Sequence, residues 1–154
     1  MSLKDTIKDD MKAAFKAGDT TTRGTLSFLL SVIQNRELAK RAKTGEASEL
    51  TDEEVIEALS TEIKKHKESI ATYQAGGRPE LVASESAELA ILQRYMPEQM
   101  SEDAVKALIA DAVTATGAAG PKDMGKVMGK ISVAIKGRFD GARASALVKE
   151  ALGA

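Results

Sequence analysis

Lysines and glycines recur in one stretch of the chain, Asp123 to Gly141, with a spacing that could bind a polyanion or admit a closely packed helix. On a helix with about 100° between successive residues, the apolar side chains fall in one narrow stripe and the lysines on the opposite side. The stripe contains Met124, Val127, Met128, Ile131 and Ile135, and the lysines are Lys122, Lys126 and Lys130. A strip of small residues, Gly125, Gly129 and Ser132, runs between them.

Glycines inside a helix need a physical reason, because each costs about 1 kcal/mol relative to alanine. In one hypothesis an extended phosphate backbone approaches the strip between the lysines, and the turn from Gly137 to Gly141 offers backbone N–H groups. In the other, Gly125 and Gly129 admit a neighbouring helix. The spacing favours neither hypothesis, and both hold if they concern different edges of the helix.

The charge distribution supports a local basic surface rather than a general coat for nucleic acid. The 154-residue chain has a net charge of −1. Residues 98–121 carry four acidic residues and one basic residue, whereas residues 122–149 carry seven basic and two acidic residues, a net charge of +5. A patch of this kind can attract a polyanion although the whole protein is nearly neutral.

A catalytic interpretation has few residues to draw on. The chain has no cysteine and one histidine, His66, which lies at the edge of an apolar stripe between Ile63 and Ile70 and is predicted to be structural. Glu85 and Glu88 are one helical turn apart and are expected to face solvent or to pair with Arg94. We therefore predict no metal site, no cofactor and no independent catalytic centre.

The other basic runs are typical of solvated helix faces. Two such runs occur in the first half of the chain, and one of them is kept as a secondary basic patch for RNA. That patch consists of Lys64, Lys65 and Lys67, and the other run is Arg36, Lys40, Arg41 and Lys43.

The elements that must position these residues are predicted to be helices throughout, so the fold class is all-α. Helices are expected over about residues 3–17 and 21–43, from the capping box Thr51–Glu54 to about residue 75, from Pro79 to Pro97, from Ser101 to Gly117, from Pro121 to Gly137, and from Gly141 onward. Pro97 divides them into an N-terminal four-helix domain, 1–97, and a C-terminal three-helix bundle, 98–154. Phe15 and Phe28 are predicted to join apolar faces.

The N-terminal stretch is too charged for a signal peptide, and no apolar run approaches the roughly 18 residues of a membrane span. We therefore expect a cytoplasmic protein that does not contact a membrane.

Over essentially its whole length the chain resembles the YqeY-like proteins of the GatB/YqeY family. The matching segments, which are specific as an ordered set, are Thr25-Leu26, Asp52 to Val55, Glu62 to Ile70 with Tyr73, Gly77-Arg78, Glu88-Leu89, Tyr95 to Pro97, Asp123 to Gly129 and Lys136 to Gly141. Relatives of this kind can carry arginine where His66 stands, which speaks against histidine chemistry.

The resemblance implies a helical fold of two parts. The same module is similar to the C-terminal tail of the B subunit of the tRNA-dependent amidotransferase and to an N-terminal appendage of some glutaminyl-tRNA synthetases. In those proteins the module binds tRNA, and other domains carry out the reaction. A family label of carbon–nitrogen ligase with glutamine as amide donor would therefore describe the relatives. Residues 126–129 and 136–138 correspond to the tail's signature, whereas Asp140-Gly141 replaces its usual Asn-Pro type of turn.

The resemblance and the charge pattern together predict a tRNA-binding accessory module. The candidate RNA-binding residues are Lys122, Lys126, Gly129, Lys130, Lys136, Gly137, Arg138 and Arg143. An alternative is a module that docks on a synthetase or amidotransferase subunit, with the glycine strip receiving a partner helix. A weaker third hypothesis is a free-standing amidotransferase or amide hydrolase.

Overall fold

A computed structural model describes residues 1–153, and all regular structure in that range is helical, as predicted. The seven α-helices are α1 (Leu3–Ala17), α2 (Thr20–Thr44), α3 (Asp52–Ala75), α4 (Pro79–Gln93), α5 (Glu102–Thr116), α6 (Met124–Ile135) and α7 (Gly141–Ala151). Among the described helices, none combines the length and the continuous apolar character that crossing a bilayer requires.

The helices fall into two compact units that meet in sequence between Met96 and Pro97. The first unit contains α1 to α4, and the second contains α5 to α7. Each unit has its own apolar core, so each is described separately below.

The helix boundaries follow capping signals. The Thr51 hydroxyl accepts a hydrogen bond from the Glu54 amide while the Glu54 carboxylate accepts one from the Thr51 amide, which confirms the predicted capping box. Gly18 ends α1 with a φ of 73°, a left-handed conformation that favours glycine. The capping box thus sets where α3 begins, and the left-handed glycine sets where α1 ends.

The core of the first unit joins all four of its helices through aliphatic side chains. Ile7 of α1, Leu29 of α2, Leu59 of α3 and Leu92 of α4 are all buried there. The Tyr95 hydroxyl donates a 2.6 Å hydrogen bond to Asp10, and burial together with this bond raises the pKa of Tyr95. That bond holds the segment after α4 against α1.

Two predicted core aromatics are at the surface, so those predictions were wrong. Phe15 is 61% exposed and Phe28 is 58% exposed. The Arg23 guanidinium lies 4.5 Å from the centre of the Phe15 ring, which gives that ring a partner at the surface. In addition, α4 ends at Gln93, so Tyr95 and the residue after it lie in a turn rather than in the predicted helix.

In the second unit α5, α6 and α7 share one apolar core. Val105 of α5, Val127 and Ile131 of α6, and Val148 of α7 are buried in it. Pro121 opens a single 3-10 turn rather than the α-helix, which begins only at Met124. The Met124 amide donates to the Pro121 carbonyl, and this tighter bond makes the first turn a 3-10 turn.

Candidate nucleic-acid interface

The buried side of α6 is the stripe predicted from its sequence. Val127, Ile131 and Ile135 are buried, while Met124 and Met128 are half-buried against the same core. The stripe fixes the rotation of the helix about its axis. As a result, the outward face consists of small residues, lysines and one valine: Gly125, Lys126, Gly129, Lys130, Ser132, Val133 and Ala134.

The glycine strip on this face is open. A Cβ atom placed on Gly125 or Gly129 would have no described atom of the chain within 4 Å, outside its own helix backbone and its chain neighbours. Within the second unit, therefore, no neighbouring helix packs on the strip. The close neighbour that the glycines would admit is therefore neither α5 nor α7 of the same unit.

Three lysines border the strip, and acidic side chains of the protein neutralise little of their positive charge. Lys122 and Lys130 are exposed, and neither forms an ion pair among the described residues. Lys126 has an exposed side chain whose ammonium lies 3.5 Å from an Asp123 carboxylate oxygen. Exposed pairs of this kind contribute about 0–1 kcal/mol, so the face keeps its positive charge.

Asp123 has a structural task beside these lysines. Its carboxylate accepts a 3.0 Å hydrogen bond from the Ala119 amide, which holds the loop before α6. This bond, together with the nearby Lys126 charge, lowers the pKa of the Asp123 carboxyl. Asp123 therefore stays ionised at neutral pH and partly offsets one lysine.

Arg138 is engaged by the segment that precedes α5. Its Nε donates a 2.9 Å hydrogen bond to the Glu98 carbonyl, and its own carbonyl accepts from the Met100 amide at 2.8 Å. The Gln99 side-chain amide also donates to the Gly137 carbonyl at 2.9 Å. These contacts clamp the end of α6 to residues 98–100.

The sequence suggested that the turn after α6 offers free backbone N–H groups to a phosphate. At two positions of that turn the N–H group is already used within the protein. The amides of Arg138 and Phe139 both donate to the Ile135 carbonyl, at 2.8 and 3.0 Å. Gly137 has a φ of 71°, so glycine is favoured there by the way the helix terminates. Helix termination thus accounts for these amides and for Gly137.

Arg143 is paired with acidic residues that lie outside the basic segment 122–149. Its Nε and one terminal nitrogen donate to the two Glu102 carboxylate oxygens at 3.1 and 2.6 Å. The other terminal nitrogen lies 3.7 Å from Glu150. The bidentate bond lowers the pKa of Glu102 and raises that of Arg143.

Two further groups of candidate lysines were predicted. Lys136 is exposed just after α6, about 9 Å along the helix axis from Lys130. Lys64, Lys65 and Lys67 are exposed on α3 in the other unit, where the Lys65 ammonium lies 2.9 Å from the Glu62 carboxylate. Within the second unit, Lys122, Lys126, Gly129 and Lys130 lie on α6 and the turn before it.

A second group of polar residues, in the first unit, was missed. Glu85 contacts His66 Nδ1 instead of pairing with Arg94, and Glu88 lies 3.8 Å from the same nitrogen. The Gly76-Gly77 reversal between α3 and α4 brings these residues together. The sign of this group in the sequence was a histidine before the reversal and two glutamates after it.

Comparisons with known proteins agree with the resemblance. A family model described as "Yqey-like protein" matches residues 4–152. A protein of Saccharomyces cerevisiae (strain YJM789) named "Altered inheritance of mitochondria protein 41, mitochondrial" is 33% identical over 92 residues, which cover 60% of this chain and 47% of that protein. The protein of the same name from Eremothecium gossypii is 33% identical over 90 residues, covering 58% of this chain and 46% of that protein.

The match to a third fungal protein is longer. The protein of the same name from Pyrenophora tritici-repentis is 26% identical over 151 residues, covering 96% of this chain and 80% of that protein. The matched part of the chain spans about half the length of the two yeast relatives. Since the family model covers nearly all of the sequence, the chain belongs to the family of YqeY-like proteins.

Proposed function

We propose that this chain is a tRNA-binding accessory module, related to the glutamine-dependent tRNA amidotransferases and without a catalytic centre of its own. The observation that carries the proposal is the outward face of α6. There Lys126 and Lys130 flank Gly129, where an added Cβ would meet no described atom of the second unit within 4 Å. We name this surface, with Lys122 at its beginning, the α6 lysine face.

The chemistry of the α6 lysine face suits a phosphate backbone. An ammonium group is a compact cation with three donors, so it can bind phosphate oxygens in several orientations. Glycine in place of a larger residue lets the sugar–phosphate chain approach the helix backbone. Such contacts fix the position of an RNA without reading its bases, as expected for an accessory module that serves another protein's chemistry.

The proposed module depends on other polypeptides for any reaction. The amide transfer from glutamine, which gives the related proteins their carbon–nitrogen ligase label, would be carried out by a carboxylate-activating domain and an amidase outside the proposed module. A synthetase or an amidotransferase subunit is therefore the proposed protein partner. We propose a cytoplasmic location; the names of the fungal relatives describe those proteins as mitochondrial.

The test is tRNA binding measured over a range of salt concentrations. For each phosphate contact that is lost, the slope of log K against log salt becomes shallower by about 0.7 to 0.9. We expect the combined variant Lys122→Ala, Lys126→Ala and Lys130→Ala to shallow the slope by about two units or more and to keep its helical circular dichroism.

The matched control removes the same number of exposed lysines from α1 and α2. The combined variant Lys12→Ala, Lys16→Ala and Lys43→Ala is expected to bind tRNA nearly as the native protein does. Equal losses in both triple variants would show that binding follows overall charge, and the assignment to α6 would be wrong.

Docking on a protein is the second candidate function. It is favoured by Val133, which is 81% exposed on the same face as the glycine strip. If a partner helix fills the strip, Gly129→Leu abolishes capture of a purified synthetase or amidotransferase subunit and leaves tRNA binding intact. Under the RNA proposal the same substitution weakens tRNA binding.

A further inference from the structure

A histidine and two glutamates converge on one point between α3 and α4. His66 lies on α3, and Glu85 and Glu88 lie one turn apart on α4. One ligand atom from each residue, the ring nitrogen or a carboxylate oxygen, lies within 4.8 Å of the other two. Glu85 contacts His66 Nδ1 directly, and a Glu88 carboxylate oxygen is 3.8 Å from it.

The cluster lies beside a cavity of about 350 Å³. The His66 side chain is 14% exposed. The cavity is lined by α2 residues that include Thr25 and Phe28, and by Glu62 from α3, which is 4% exposed. A group bound between the helices would have these protein atoms on one side and space for water on the other.

The charges in this region are not balanced by the protein. Among the described residues, neither Glu85 nor Glu88 pairs with a lysine or arginine, and Lys65 pairs with Glu62. The two carboxylates thus share one imidazole without a lysine or arginine beside them, and a dication bound there would balance them. Because half-buried carboxylates lose part of their hydration, a compensating cation is favoured.

We propose that His66, Glu85 and Glu88 bind one divalent transition-metal ion of the Zn²⁺ class. Imidazole nitrogen with carboxylate oxygens suits such ions, whereas Mg²⁺ prefers oxygen ligands alone. At metal–ligand distances of about 2.0–2.2 Å, the ligand atoms of a tetrahedral site are about 3.3–3.6 Å apart. The present His66–Glu85 contact is shorter than this and the His66–Glu88 distance is longer, so small side-chain rotations form the site.

Three protein ligands would leave one or more positions of the ion open to water. The ion would also tie α3 to α4, since its ligands come from both helices. All three ligands lie in the first unit, and the proposal does not rest on the α6 lysine face. It revises the prediction of no metal site, which rested on the absence of cysteine and of a second histidine in the sequence.

The test is titration of untagged protein with Zn²⁺ alone, since a polyhistidine tag would bind the ion. The chain has one histidine, so the imidazole region of its NMR spectrum reports on His66 alone. We expect those signals to change and to saturate at one ion per chain. Calorimetry should give the same stoichiometry, with affinity at least 10-fold weaker for Glu85→Gln and for Glu88→Gln.

Glu68→Gln is the matched control, because Glu68 is an exposed glutamate on α3 outside the cluster. Its Zn²⁺ affinity should equal that of the native protein. Unchanged His66 signals at several equivalents of Zn²⁺ would overturn the proposal, as would Zn²⁺ affinity that survives both cluster variants. If a cluster variant fails to fold, the titration of the native protein still decides the question.

Discussion

The lysines at the start of α6 and the arginines after its end have the same charge but different surroundings. Lys126 and Lys130 point outward, and the single ion pair of Lys126 is exposed to water. Arg138 donates to a backbone carbonyl, and Arg143 forms a bidentate bond with Glu102. The planar guanidinium, which can donate in two directions at once, is used to hold loops and helices together.

The difference shows that charge counted along a sequence overstates the charge that a partner meets. The basic segment 122–149 has a net charge of +5, yet Glu102 and Glu150, which contact Arg143, both lie outside it. Lysines without such partners define the available positive surface. The two groups should therefore respond differently to substitution.

The largest expected effect on stability comes from Arg138→Ala. It removes the bond to the Glu98 carbonyl, and hydrogen bonds that involve a charged group contribute about 1.5–3 kcal/mol. Chemical denaturation should show a loss near the lower end of that range, because the bond is exposed. Lys130→Ala is the control and should remain within about 0.5 kcal/mol of the native protein. Equal losses of unfolding free energy in the two variants would show that the arginines and the lysines do not differ in their structural role.

Gly129→Ala should raise stability and lower tRNA affinity. Because an added Cβ meets no described atom, the substitution gains about 1 kcal/mol of helix propensity. The same methyl group would stand where the RNA backbone is proposed to approach. Thermal unfolding and tRNA titration of one sample measure both effects. An increase in stability with unchanged tRNA affinity would show that the backbone does not approach Gly129 closely.

A pH-dependent effect, expected to be the smallest, concerns Arg143 and Glu102. The bond to Arg143 lowers the pKa of Glu102 below its ordinary value of 4.5. Its stabilising contribution is therefore fully present above pH 4.5 and is lost as the pH falls through the folded-state pKa. A double-mutant cycle with Arg143→Ala and Glu102→Gln should give a favourable coupling at neutral pH that disappears in acid. Coupling that persists in acid would contradict the ion-pair assignment.

Helix positions were predictable because their signals are local. The capping pair Thr51 and Glu54 marks the start of α3, and the apolar spacing of α6 fixes which side of that helix is buried. Phe15 and Phe28 were placed wrongly because a hydrophobicity pattern records the residue type but not the partner available to it. In α6, likewise, the sequence predicted the face but not that the glycine strip would be uncovered.

Polar contacts between distant residues were beyond the sequence. Arg143 and Glu102 are 41 positions apart, so their pairing depends on how α5 packs against α7. His66 and Glu85 meet only because of the register between α3 and α4. The periodicity of one helix does not predict its register against another helix. The only sign in the sequence that α3 and α4 pack side by side was the glycine pair between them.

The most direct test of the central claim compares salt slopes of tRNA binding for two double variants. The lysine variant, Lys126→Ala with Lys130→Ala, should shallow the slope by about 1.4 to 1.8 units. The arginine variant, Arg138→Ala with Arg143→Ala, should leave the slope nearly unchanged if its fold is kept, because both guanidinium groups are engaged within the protein. A native slope in the lysine variant together with a shallower slope in the arginine variant would contradict the proposal that RNA binds the α6 lysine face.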